Sequence, residues 1–112
     1  MGIEIYFQVN KMNKLKSDLH QFTKDRNWEQ YHSPKNLAMA LSVEVAELVE
    51  IFQWMTEEES YLKPYDNIEH IMDEIGDIMI YLTMIADCFY RCPIACAKMK
   101  MKKNEKKHPI NV

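Results

Sequence analysis

Residues 42–54 read SVEVAELVEIFQW and are apolar between Ser42 and Gln53 apart from acids placed every third residue. Glu44 and Glu47 are three residues apart, so in a helix their side chains lie on one face, about 5–6 Å apart at Cβ. Two carboxylates on an apolar face repel each other and lose hydration when buried, so they need a cation nearby. Glu74 and Asp77 repeat this spacing in a second apolar segment. The sequence therefore predicts that the two acidic pairs meet.

The length and composition are those of one globular domain. The chain has 112 residues, of which 47% are hydrophobic and 28% charged, a composition that excludes a disordered chain. The longest apolar run, residues 75–85, is too short to span a bilayer, so no membrane partner is expected. Of 14 basic and 17 acidic residues, six bases and one acid fall within residues 98–107. A general nucleic-acid binder would carry basic patches over its whole body, so no nucleic acid is expected as a partner.

The first ten residues are predicted to precede the domain. Apolar residues alternate with others from Ile3 to Val9, which is typical of a short strand. We interpret residues 1–10 as a leader, unstructured or a short strand, and residues 11–112 as the domain. The leader lacks the basic start and apolar core of a secretory signal. Three cysteines without a CxxC motif indicate reduced thiols, so the expected location is the cytoplasm.

Apolar residues at helical spacing, with only two glycines and four prolines in the chain, predict an all-α fold of the four-helix-bundle type. The predicted helices span residues 11–25, 34–55 and 68–90, and a fourth begins at Pro93 and ends before Pro109.

The predicted connections have signals of their own. Ser33–Pro34 is typical of an N-cap followed by the first helical residue. Residues 56–67 are predicted to be an acidic loop, with a turn marked by Pro64 and Asp66 and with Asp66 or Asn67 capping the next helix.

The two long predicted helices are apolar on more than one face. Their core stripes are Leu37, Leu41, Val45, Leu48 and Phe52 on one helix, and Ile68, Ile71, Ile75, Ile78, Leu82, Ile85 and Phe89 on the other. Outside these stripes, Met39, Val43 and Val49 face another direction, as do Met72 and Met79. One short chain cannot cover all of these side chains, and exposed apolar patches mark interfaces. We therefore expect an obligate homo-oligomer, dimeric at least.

If the two long helices pack antiparallel, their four carboxylates converge. Hard oxygen ligands without cysteine select Mg²⁺ or Mn²⁺ over Zn²⁺. A di-iron bundle would need Glu-x-x-His on two helices, and His70 is not at that spacing. The alternative interpretation is a solvated groove with surface salt bridges. Aromatic residues share the acidic faces, namely Trp54 on the first and Tyr81 on the second.

An ordered set of motifs runs through the chain. It consists of RNWEQYHSPKNL at residues 26–37, the two acids at 44 and 47, FQW at 52–54, the E-x-x-D at 74–77 followed by Tyr81, and KMKKNEKKHP at residues 100–109. In these motifs the sequence resembles the MazG-like, all-α nucleoside triphosphate pyrophosphohydrolases, in their small single-domain branch. The resemblance covers residues 11–112.

This resemblance implies Mg²⁺-dependent hydrolysis of a (deoxy)nucleoside triphosphate, with dCTP or a related dNTP expected, to the monophosphate and pyrophosphate. It also implies a tetramer built as a dimer of dimers with sites shared between subunits. By the same resemblance, Glu44, Glu47, Glu74 and Asp77 hold the metal; Trp28, His32, Asn36, Trp54 and Tyr81 surround the nucleotide; and Lys100, Asn104 and Lys107 meet the phosphates. Among the acids, Glu47 is the expected general base.

The sequence departs from the family at two points. Ser42 and Ala46 stand where glycine is frequent, and His108 stands where the family has tyrosine before the final proline. The alternatives in function are a dUTPase-like or phosphoribosyl-ATP pyrophosphohydrolase specificity, and a non-catalytic helical interaction module. The alternative role for Trp28 and Trp54 is core packing.

Overall fold

The computed structural model describes residues 2–62 and 67–110. The regular secondary structure of these residues is entirely helical. Its elements are α1 (Gly2–Asp25), a 3₁₀ turn (Glu29–Tyr31), α2 (Pro34–Phe52), α3 (Glu57–Leu62), α4 (Ile68–Cys88) and α5 (Pro93–Lys107). The predicted all-α class is confirmed.

The strand or unstructured leader expected over residues 1–10 is wrong for the described residues, because α1 begins at Gly2. No proline or glycine occurs between Ile3 and Ser33. A helix formed over residues 11–25 therefore extends backward, since each added residue contributes a hydrogen bond without a new nucleation step. The division of the chain into a leader and a domain stays a prediction.

The start of α2 follows the predicted capping signal. The Ser33 side chain accepts a hydrogen bond from the Asn36 backbone N–H at 3.1 Å, and Pro34 opens the helix. Leu37, in the first turn, is only 2% exposed. The cap therefore fixes the point from which α2 enters the core.

The acidic loop predicted over residues 56–67 is wrong in part, because α3 occupies Glu57–Leu62. The Thr56 hydroxyl accepts from the Glu59 N–H at 3.1 Å, and a Glu59 carboxylate oxygen accepts from the Thr56 N–H at 3.2 Å. This is a capping box, which stabilises a helix start by pairing two free backbone donors. The predicted turn at Pro64 and Asp66 lies outside the described residues.

The core is small and lies where α2 and α1 pack against α4. Met12, Leu37 and Ile71 are its buried apolar residues. The bend between α4 and α5 is 87°, so α5 leaves the α2–α4 pair almost at a right angle. Among the described residues no single helix is long and apolar enough to cross a membrane.

Several residues predicted to lie in the core are exposed. Val45 of α2 is 42% exposed and Ile75 of α4 is 54% exposed. The two helices bury only their facing sides, and α1 covers little of what remains. The other exposed apolar residues of the pair are Met39, Val43, Val49, Ile68, Met72, Met79 and Leu82.

Candidate metal centre

Three of the four predicted acids converge where α2 packs on α4. Glu44, Glu74 and Asp77 each offer a carboxylate oxygen, and these oxygens lie within 4.8 Å of one another. Glu74 is only 5% exposed. One oxygen of Glu44 and one of Glu74, Oε2 in each case, are buried without a hydrogen-bond partner in the described part of the chain. Buried carboxylate oxygens without donors are costly, so this arrangement fits a bound cation.

The carboxyls of the cluster bind protons more tightly than isolated carboxyls do. A hydrogen bond between the two carboxyls, together with burial and the charges of Glu47 and Asp77, raises the pKa of Glu44 from 4.5 to about 7. For Glu74 the same hydrogen bond lowers the pKa, but burial, a hydrogen bond with Glu47 and the charges of Glu47 and Asp77 together outweigh it, and the net direction is upward. Burial and the charges of Glu44 and Asp77 also raise the pKa of Tyr81. The negative charge is therefore uncompensated by the side chains around it.

Glu47 lies beside the cluster rather than within it. It is half-buried on α2, and its carboxyl is near enough to Glu74 to raise the pKa of that group. It is absent from the group whose oxygens lie within 4.8 Å. Its role as a metal ligand stays a prediction.

The basic group that touches the cluster is His70, which the sequence places on the same face of α4 as Glu74 and Asp77. His70 Nε2 lies 3.3 Å from Glu74 Oε1, one helical turn earlier on α4. The two residues are four apart, a spacing that places side chains on one helix face. Because histidine carries charge only when protonated, this contact does not replace a permanent cation.

A cavity of about 330 Å³ opens beside Asp77 and brings together three of the predicted nucleotide contacts. Trp28, His32 and Tyr81 line it with Asp77. These residues come from the segment after α1 and from α4, so the end of α1 forms one wall and α4 the other. The remaining lining residues are Leu19, Phe22, Thr23, Ile80 and Met84.

The other predicted substrate contacts lie elsewhere in the single chain. The Asn36 side-chain amide donates to the Tyr31 carbonyl oxygen at 2.9 Å, which ties α2 to the 3₁₀ turn. Trp54, beyond the end of α2, is 89% exposed and does not line the cavity beside Asp77.

The three predicted phosphate contacts on α5, Lys100, Asn104 and Lys107, are exposed. None of them lines the cavity beside Asp77. Lys100 instead lines a separate cavity of about 650 Å³ at the α4–α5 corner, with Arg91 and Cys92 among its neighbours. The bend before α5 carries this basic helix away from the α2–α4 pair.

A second polar cluster was not singled out from the sequence. The His20 Nε2 lies 2.5 Å from Asp87 Oδ2, and the Lys16 Nζ lies 3.8 Å from Asp87 Oδ1. His20 and Asp87 line a cavity of about 560 Å³ that shares His32 with the cavity beside Asp77. His20 and Asp87 are 67 residues apart in the chain, so no local pattern signals their contact.

Known proteins are similar to this chain in sequence. The dCTP pyrophosphatase 1 of Homo sapiens is 37% identical over 95 residues, covering 82% of this chain and 55% of the human protein. The bovine dCTP pyrophosphatase 1 is 36% identical over 97 residues, covering 82% of this chain and 56% of the bovine protein. This chain therefore spans about half the length of these relatives.

A solved structure is similar over nearly its whole length. The crystal structure of a pyrophosphatase from Archaeoglobus fulgidus matches with a TM-score of 0.85 and 42% sequence identity, covering 89% of this chain and 94% of that one. The family model described as MazG-like matches residues 39–112, which include all four predicted metal ligands. With this match extending over more than half of its residues, the chain belongs to the MazG-like family.

Proposed function

We propose that this protein hydrolyses a deoxynucleoside triphosphate, dCTP or a related dNTP, to the monophosphate and pyrophosphate in the presence of Mg²⁺ or Mn²⁺. The observation that carries the proposal is the pair of buried, unpartnered carboxylate oxygens of Glu44 and Glu74 beside Asp77. The relatives named dCTP pyrophosphatase 1 and the pyrophosphatase from Archaeoglobus fulgidus support the reaction class.

The donor set fits a hard divalent cation. Glu44, Glu74 and Asp77 would hold it, with Glu47 as the fourth ligand, and all four offer oxygen. Mg²⁺ bound there would neutralise the triphosphate and lower the pKa of a coordinated water.

Glu47 is the proposed general base. Its carboxyl touches the cluster through Glu74, so it is within reach of a water at the cluster's edge. In the reaction it would accept the proton of the water that attacks the α-phosphorus, while the bond to pyrophosphate breaks. A half-buried carboxylate suits this role because it exchanges protons with solvent between turnovers.

The nucleotide would lie in the cavity beside Asp77. Trp28 and Tyr81 offer aromatic faces for the base and sugar, and His32 offers a ring nitrogen at the same cavity. Asn36 and Trp54 are retained as proposed substrate contacts on the family resemblance.

The phosphate contacts would come from another copy of the chain. Lys100, Asn104 and Lys107 lie on a helix that leaves the acidic cluster, so a second subunit would supply them. The open apolar side of the α2–α4 pair supports such an assembly, for which we propose a tetramer built as a dimer of dimers. These cations would stabilise charge on the leaving pyrophosphate.

A nucleotide panel tests the proposal. The purified protein is incubated with dCTP, dATP, dTTP, dGTP, dUTP and phosphoribosyl-ATP plus Mg²⁺, and released pyrophosphate is measured. We expect dCTP or a related dNTP to be the best substrate. A preference for dUTP or phosphoribosyl-ATP would replace the proposed specificity with one of the alternatives. No release from any nucleotide would contradict the proposed reaction and leave a non-catalytic interaction module.

The assigned base has a matched control on its own helix. Glu47→Gln should lower kcat by about 10²–10⁴-fold, the usual contribution of a general base. Glu50→Gln removes an exposed acid three residues later and should leave kcat unchanged. An active Glu47→Gln variant with normal helical circular dichroism would refute the assignment.

A further inference from the structure

The end of α1 presents Trp28 through a specific backbone motif. Asn27 has a positive φ of 57°. The Trp28 N–H donates to the Thr23 carbonyl oxygen at 3.0 Å, and the Asn27 N–H donates to that of Lys24 at 3.2 Å. These two bonds around a left-handed residue define a Schellman motif, which is usually completed by an apolar contact back to the last turn. Here that contact is the edge-to-face pair of Phe22 and Trp28, with ring centroids 5.7 Å apart.

The Arg26 guanidinium contacts the rings of both Phe22 and Trp28. Its Cζ lies 3.5 Å from the centroid of the Phe22 ring and 5.9 Å from that of Trp28. Its Nη1 donates to the Phe22 carbonyl oxygen at 3.0 Å, which holds the guanidinium plane against the helix end. The guanidinium is therefore fixed by a hydrogen bond and by two aromatic contacts at once.

The Trp28 ring needs this support because burial alone does not hold it. Trp28 is 44% exposed, yet it and Phe22 line the cavity that contains Asp77 and Tyr81. A half-exposed indole without fixed neighbours would sample several rotamers and would present its face to a base only part of the time.

We propose that Arg26 is a positioning residue for nucleotide binding, which lies over the Phe22 ring, contacts Trp28 and holds the Trp28 indole as one wall of the base pocket. This inference rests on the proposed function, because it takes the cavity beside Asp77 as the nucleotide pocket. Arg26 itself does not line that cavity, so it acts through Trp28. The planar guanidinium matters as well as the charge, since a lysine ammonium cannot stack on a ring in this way.

The first arm of the test is spectroscopic and uses neither nucleotide nor metal. The chain has two tryptophans, so Trp54→Phe makes Trp28 the only indole reporter. Adding Arg26→Ala or Arg26→Lys to this background should reduce the near-ultraviolet circular dichroism of Trp28 and shift its fluorescence emission to longer wavelength. Lys24→Ala, which removes a cation from the same helix end, should change neither signal.

The second arm is kinetic and uses the chain with both tryptophans. Arg26→Ala and Arg26→Lys should each raise the KM for the best nucleotide by about fivefold with kcat unchanged, a change of about 1 kcal/mol. Lys24→Ala should keep both parameters. Far-ultraviolet circular dichroism checks that every variant is folded, as expected for substitutions at an exposed side chain.

Two results would overturn the inference. A Trp28 signal unchanged by Arg26→Ala would show that the ring is held without the guanidinium. A KM fully restored by Arg26→Lys would show that Arg26 acts by charge alone. Absence of turnover by the unmodified protein would instead contradict the proposed function, and the spectroscopic arm would still decide whether Arg26 orients Trp28.

Discussion

The acidic α2–α4 pair and the basic helix α5 differ in how much of their proposed site one chain completes. The acids come from two helices that pack on each other, and three of their carboxylates converge without any partner. The lysines of α5 are exposed on a helix bent 87° away from α4. The difference is that one folded chain brings the proposed metal ligands together, whereas the proposed phosphate contacts lie on a helix directed away from them.

Among the variants that test this difference, those that remove the lysines of α5 should have the largest effect on catalysis. Lys100→Ala with Lys107→Ala should lower kcat/KM by about 10²-fold or more, because the leaving pyrophosphate loses its cationic partners. Lys98→Ala with Lys106→Ala changes the same number of exposed charges on α5 and should have little effect. Pyrophosphate release measures both. Equal losses in the two pairs would show that α5 contributes only a general positive field.

Mixing two inactive variants tests whether the acids and the lysines of one site come from different chains. Glu47→Gln chains and Lys100→Ala/Lys107→Ala chains, unfolded and refolded together, should regain about one quarter of the sites if each site takes acids from one chain and lysines from another. Refolding each variant alone is the control. No recovery after confirmed co-assembly would mean that one chain supplies both halves.

The acidic cluster should make the free energy of unfolding depend on pH and on Mg²⁺. The folded pKa of Glu44 is raised from 4.5 to about 7, so its contribution to stability is present below pH 4.5 and is lost as the pH rises through about 7. Saturating Mg²⁺ should reverse this loss at pH 8 and add about 2.7 kcal/mol when its concentration is 100 times Kd. Urea unfolding at pH 5 and pH 8, with and without Mg²⁺, measures both effects.

Glu44→Gln is the control for that experiment, since a neutral amide cannot titrate. Its metal-free stability should change less between pH 5 and pH 8, and Mg²⁺ should stabilise it less. The same pH slope in Glu44→Gln as in the unmodified chain would assign the loss to other groups.

The smallest expected effect concerns the corner that turns α5 away. Tyr90 has a positive φ of 56°, as Asn27 has 57° at the end of α1. Bulky residues are disfavoured in this conformation whereas asparagine tolerates it. Tyr90→Gly should therefore stabilise the protein by about 0.5–1 kcal/mol, and Asn27→Gly by a smaller amount. Urea unfolding midpoints measure both, and a destabilised Tyr90→Gly would show that the exposed phenol has a packing role.

The sequence was sufficient where the signal is local. Helix periodicity predicted the all-α class, Ser33 and Pro34 predicted the start of α2, and the spacing of four acids predicted that α2 and α4 bring carboxylates together. The capping box at Thr56 and Glu59 was equally local, but the run of acids around it was interpreted as a loop.

The rest depends on contacts that a single sequence does not specify. The alternation of apolar residues over residues 3–9 is compatible with a strand or with a helix. Its helical state follows from its continuity with the helix formed by the residues after it. The pairing of His20 with Asp87 joins distant segments. The exposure of Val45 and Ile75 reflects which side of each helix meets the other, which periodicity alone does not settle when several faces are apolar.

The raised pKa values of Glu44 and Glu74 would couple metal binding to the release of protons. At neutral pH, occupation of the cluster by a divalent cation is an exchange, since ligands release protons when a metal binds. Calorimetric heats should therefore vary with the ionisation enthalpy of the buffer, and apparent affinity should rise with pH through about 7, the value at which Glu44 titrates. A weakly buffered solution should acidify measurably when Mg²⁺ is added to the concentrated protein.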